Sequence, residues 1–334
     1  VWCRTMSVPE TTNRIDYVDR LRGLAVVAMF FVHSAGALLA PWARQGDYWK
    51  WSMRISGMVA PIFMFLVGIS IALMAFRGRQ RETDEAALRR RIALRGLKIV
   101  GLGYGLHVVF WLLGNYAGQW EKVLKVDILH CIGLSMAVFA ALAWPRGRIN
   151  GRALALFLIV PVLGQISFRL PLDEVLPTAL AGYFSTAPAN TLFPFIPYGT
   201  WVAMGLFVGP VFARMVAGRL SEKRFWIGIL VLALMLYAAG KGVRSVYYGF
   251  DLQYLGGAEA PQKGLVHLFF AKAAVVLVIF FVMRATNALF CSDRFQPLLL
   301  FGKTSLFAYC VHLLVIYNLT GPFFRYRLSP LGHV

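Results

Sequence analysis

A chain of 334 residues that is 59% hydrophobic and carries a formal charge of +19 is too apolar for an ordinary soluble domain, so membrane spans are the leading expectation. In such a protein Lys and Arg mark the loops on the cytoplasmic side, and the basic balance needs no nucleic-acid partner to explain it. Four cysteines, at positions 3, 131, 291 and 310, lack the spacing of a metal site and imply no disulfide framework; no metal is expected.

The chain opens with "VWCRTMSVPETTNR", which has no apolar stretch to serve as a signal peptide. Insertion is therefore expected to rely on the first span, with residues 1–19 as a cytoplasmic N-terminal segment. Apolar runs of about 20 residues follow, nine in all, centred on Met29, Leu66, Gly103, Met136, Val160, Ala203, Leu232, Val276 and Ala308. No linker separates soluble domains, so residues 1–334 read as one all-α polytopic membrane domain. With the N-terminus inside, the cytoplasmic segments hold 21 Lys and Arg against 11 outside, and Lys272 and Lys303 fall within spans. That asymmetry favours a cytoplasmic N-terminus.

The first span contains "RLRGLAVVAMFFVH". Eleven residues separate Arg22 from His33, about three turns, so both lie on one stripe that Asp19 roughly joins, with His33 about 16 Å deeper. Two readings fit. The stripe takes a ligand with a charged end and a reactive end, or Arg22 reaches for headgroups while His33 bonds a neighbouring helix. A faint echo, "LRGLKIV" before His107, places its arginine and histidine twelve residues apart and on different faces, which marks it as chance.

Measured from the inner surface, His33, His107 and His312 lie roughly 18, 22 and 21 Å deep, and His130 and His267 near about 24 Å. Lys272 descends about 12 Å from the outer side. Five histidines and a lysine in the outer half are expected to border a polar cavity open to the non-cytoplasmic side, where His107, His130, His267, His312 and Lys272 contact substrate. Pro61, Pro194 and Pro197 would free carbonyls within or beside spans. The span glycines read as close helix contacts.

In order, "RIDYVDRLRGLAVVAMFFVH", "APIFMFLVGISIALM", "VDILHCIGLSM", "FPFIPYGTWVAMGLFVG" and "LLLFGKTSLFAYCVHLLVIY" resemble the membrane domain of the heparan-alpha-glucosaminide N-acetyltransferase family and its bacterial relatives. The chain is also similar to the wider transmembrane acyltransferase group, in which an arginine, ten residues and a histidine recur on the first span. The resemblance implies transfer of an acyl group, acetyl in the first instance, from cytoplasmic acyl-CoA to a sugar or related polar acceptor beyond a bacterial inner membrane. It puts His33 at the family's first-span catalytic position, where lysosomal members have asparagine. Those members carry a histidine in the following loop; the corresponding "SAGALLAPWARQGDYWK" has none.

A neutral imidazole there can accept the proton of an attacking hydroxyl or amine, or attack the thioester and hold the acyl group. The CoA phosphates are expected among Arg22, Arg95 and Lys98, with Asp19 on the same stripe. Arg89 to Arg91 suit topology and anionic lipid contact. Two other classes stay open: a transporter or flippase using the intramembrane His/Lys cluster, which would show uptake without acyl-CoA consumption, and a haem protein, which would show a Soret band.

Overall fold

Polar residues at the head of apolar runs start several of the helices. Asp84 accepts a hydrogen bond from the Ala86 amide, Asp127 from Leu129 and Asn150 from Ala153, each side chain satisfying an amide that the first turn leaves open. The computed structural model describes residues 15–116, 118–168, 170–185, 191–249, 266–290 and 292–329. Its principal helices are α1 (Asp16–Leu38), α2 (Asp47–Gln80), α3 (Glu85–Leu112), α4 (Ile128–Leu142), α5 (Gly151–Ser167), α6 (Thr200–Val216), α7 (Glu222–Gly249), α8 (Val266–Ala285), α9 (Gln296–Lys303) and α10 (Ser305–Leu314).

All nine expected centres fall in helices, and among the described residues no strand forms. Seven helical segments are long and apolar enough to cross a bilayer, which makes the chain an all-α polytopic membrane protein. The eighth candidate, residues 293–320, bends by 87° between α9 and α10. The ninth, α5, has 17 residues and reaches about 25 Å at 1.5 Å per residue, short of a core of about 30 Å. Pro61 does not break its span, because α2 runs through it. Pro194 and Pro197 instead occupy the turn that precedes α6.

The chain divides into two compact units. The first comprises Val1–Phe63 and Ile279–Val334. Here α1 and α9 meet backbone to backbone: a Cβ on Gly23 would overlap the Leu298 carbonyl oxygen, and one on Gly302 the Asp19 carbonyl oxygen. Arg44 closes the far end of α1, donating to the carbonyls of Gly36 (2.8 Å) and Leu39 (3.2 Å) and lying over the Trp49 and Tyr326 rings. It thereby occupies acceptors that a helix C-terminus leaves unpaired.

The second unit is Met64–Val278. Its core includes the fully buried Phe65, Phe139, Trp201 and Phe212. Small residues bring helix pairs together, Gly96 against Gly133 between α3 and α4 and Gly68 against Gly205 between α2 and α6. This is the close approach that small residues permit where lipid supplies no hydrophobic drive. Thr200 donates to the Phe157 carbonyl (2.9 Å), tying α6 to α5.

The charge asymmetry gives a direct test. In a cysteine-free background, a cysteine placed at the exposed Ile149 should resist a membrane-impermeant maleimide in intact cells, and one at Glu174 should label. The reverse pattern would move every histidine depth to the other half of the bilayer.

Candidate functional site

In the first unit, α1 carries His33 and α10 carries His312. His33 Nδ1 and His312 Nε2 are 2.8 Å apart, and the rings stack with centroids 5.0 Å apart. His312 is buried, and its Nδ1 lies 3.0 Å from the Ala308 carbonyl one turn earlier. A carbonyl only accepts, so Nδ1 of His312 carries the hydrogen. In the neutral ring Nε2 is then the acceptor, and His33 must donate from Nδ1. The lone pair of His33 is thereby assigned to Nε2.

Aromatic rings surround the pair. Phe30 lies 4.8 Å from the His312 ring, Tyr309 5.5 Å from it, and Tyr317 6.5 Å from His33. Toward the other end of α1, Arg22 Nη1 is 2.6 Å from Asp19 Oδ1. Asp19 is buried directly beside the Gly302 contact, and its carboxylate fixes the direction of the guanidinium.

The second unit gathers a separate cluster. Asp127 Oδ2 lies 3.1 Å from His107 Nε2, and its Oδ1 lies 2.9 Å from both His130 Nδ1 and the Leu129 amide. His107 Nδ1 faces the Val123 carbonyl at 3.2 Å. Both nitrogens of His107 thus face acceptors, so a proton must sit between His107 and Asp127. His130 is fully buried on α4, its ring lying against Gly103 of α3, where a Cβ would collide with it. Tyr104 covers the ring at 4.1 Å, and the Tyr104 and Tyr183 hydroxyls are 2.9 Å apart.

Among the described contacts, none brings the other expected residues into either cluster. His267 is buried in the first turn of α8, where its carbonyl approaches Gly240 of α7, and Lys272 is half-buried on the same helix. Arg95 and Lys98 are exposed on α3. Among the described residues no group of three or more His, Cys, Asp or Glu is arranged to hold a metal ion. Of the four cysteines, Cys131 is buried and Cys310 half-buried, while Cys3 and Cys291 lie outside the described residues.

Sequence reasoning did not single out Asp127, Tyr104 or Tyr183. The first had a usable signal, since "DILH" puts an aspartate at a helix N-cap and a histidine three residues on.

The model of the heparan-alpha-glucosaminide N-acetyltransferase catalytic region matches residues 14–235 of this chain. Among curated proteins, the heparan-alpha-glucosaminide N-acetyltransferase of Mus musculus is 31% identical over 144 residues, 40% of this chain and 20% of its own length. The Homo sapiens protein of the same name is 29% identical over 135 residues, 39% of this chain and 19% of its own length. The match therefore spans about a fifth of these curated relatives. His312 lies outside residues 14–235.

Proposed function

The chain belongs to the heparan-alpha-glucosaminide N-acetyltransferase family, and from that premise we propose that it is a membrane-embedded acetyltransferase that moves an acetyl group from acetyl-CoA to an amine or hydroxyl of a sugar acceptor. The observation that carries the reading is the His33–His312 contact, with the Ala308 carbonyl behind it. It assigns the lone pair of His33 to Nε2, on a ring that His312 holds in one tautomer.

As the acceptor nitrogen or oxygen attacks the thioester carbonyl, its proton passes to His33 Nε2. The carbon–sulfur bond then breaks, and the same proton goes to the departing CoA sulfur, so His33 ends neutral. His312 acts through His33, accepting its Nδ1 hydrogen and steadying the imidazolium that forms. A general base of this kind typically contributes about 10²- to 10⁴-fold.

Arg22 is the donor contact for the CoA phosphates, and Asp19 orients it rather than meeting the phosphates itself, since a carboxylate would repel them. The donor is drawn from the cytoplasmic side of a bacterial inner membrane and the acceptor is modified on the other, following the 21 to 11 charge asymmetry.

Incubating purified protein with radiolabelled acetyl-CoA and a panel of amino sugars, glycans and lipid-linked sugars tests the activity. Label should appear in at least one sugar, and retention of all label in the donor across the panel would refute it. Arg22→Ala should raise the donor KM about 5- to 150-fold, the equivalent of the roughly 1–3 kcal/mol lost with a charged hydrogen-bond partner, while leaving turnover at saturating donor. Unaltered donor binding with abolished turnover would remove Arg22 from the donor site.

A further inference from the structure

Among the described residues His130 is the most completely buried histidine, yet none of their groups pairs with its Nε2. The rest of its environment is fully specified. Its Nδ1 faces Asp127 Oδ1 at 2.9 Å, closer than the Asp127 amide at 3.2 Å. The Asp127 amide is placed to donate to Nδ1, but the carboxylate contact is the shorter, and because a carboxylate oxygen cannot donate we assign the hydrogen to Nδ1 and the lone pair to Nε2. The proton between His107 and Asp127 already offsets the carboxylate charge. A second proton on His130 would leave a net positive charge in a buried site, which is costly. His130 Nε2 therefore stands as a hydrogen-bond acceptor.

Beside it stands a complementary surplus. The Tyr104 and Tyr183 hydroxyls share one hydrogen bond, but two phenols carry two hydrogens, so one of them remains to be donated. Burial holds the Tyr183 hydroxyl well above the usual phenol range, which keeps that hydrogen in place at any physiological pH. One buried lone pair and one donor hydrogen on a half-buried pair of phenols, in one cluster, call for a group that donates and accepts through a single atom. A hydroxyl does this.

We infer that His130 Nε2 and the Tyr104–Tyr183 pair form a subsite for a sugar hydroxyl, which donates to the imidazole and accepts from a phenol. Asp127 and His107 are positioning residues for it. The Tyr104 ring turns aside to admit the ligand, and Gly101, one turn earlier on α3 with nothing within 4 Å of where its Cβ would stand, leaves room beside it. Assigning that hydroxyl to the acetyl acceptor rests on the acetyltransferase reading; the subsite itself does not.

The test is equilibrium binding of glucosamine, N-acetylglucosamine and glucose to the purified full chain in lipid nanodiscs, with Tyr104→Phe, Tyr183→Phe and His130→Ala variants. At least one sugar should bind, and at least one of the two Tyr→Phe changes should raise its Kd about 3- to 10-fold, as expected for one neutral hydrogen bond. His130→Ala should raise it at least as much. Tyr→Phe keeps the ring packing, so it stays informative even where His130→Ala does not fold. Binding of no sugar, or affinities that ignore all three changes, would overturn the inference and assign the polar atoms to a water. Sugar binding with this pattern but no acetyl transfer would sink the acetyltransferase reading and leave the subsite standing. Transfer with an unchanged acceptor KM in both Tyr→Phe variants would do the opposite.

Discussion

His33→Ala should lower acetyl transfer by about 10²- to 10⁴-fold while the protein still folds and binds CoA, because a base acts on the transition state more than on ground-state binding. Steady-state kinetics with labelled donor, together with CoA binding to the same preparation, would measure both. His33→Asn is the sharper variant. Asparagine can orient a substrate but cannot take a proton at neutral pH, so near-complete inactivity identifies a proton acceptor, whereas substantial activity identifies an orienting group. His312→Ala should lower kcat and leave the donor KM near its parental value, since it removes the acceptor that sets the His33 tautomer without touching the donor head group. If His33→Ala and His33→Asn both turn over like the parent, His33 is structural.

The second large effect is on assembly. In Gly302→Val the new side chain would occupy the position of the Asp19 carbonyl oxygen, and backbone cannot yield as a flexible side chain can. Overpacking of a close contact costs about 1–3 kcal/mol and occasionally more; here both partners are main chain, so the upper end is expected. The readout is a lower Tm in detergent, together with reduced yield of folded protein. Gly36→Ala is the control on α1, with nothing within 4 Å of its Cβ position, and helix propensity alone should make it neutral or stabilising by up to about 1 kcal/mol. Equal Tm values for Gly302→Val and the parent would show that α1 and α9 do not meet as described.

The helices were legible because a bilayer imposes a length that a run of apolar residues reveals. The shortness of α5 was less so, since a run of apolar residues locates the middle of a span better than its ends. The 87° bend after α9 has no proline to signal it; Gly302 and Thr304 mark the place only once the Asp19 contact is known.

Depth along the spans put five histidines at one level without pairing them; the structure brings His33 to His312 and His107 to His130. Depth also put His267 at a similar level, yet it belongs to neither pair. Rotation about the helix axis decides direction, and rotation depends on packing that one sequence does not display. Asp127 illustrates the same limit. Its N-cap position is local, but its second oxygen is committed to a histidine twenty residues earlier on another helix.

The Ala308 carbonyl behind His312 has a consequence for how this protein tolerates change. Many imidazole pairs have their proton placement dictated by a carboxylate, which must be stripped of water to serve in a low-dielectric setting. Here a peptide group does that work at no charge cost, four residues back along the same helix. The identities of Tyr309, Cys310 and Val311 are then secondary to their number. Adding or deleting one residue in that interval would swing the ring by about 100° around α10, away from His33, even if every surrounding side chain were kept. Proton placement at the proposed reaction centre is thus encoded as a count of residues.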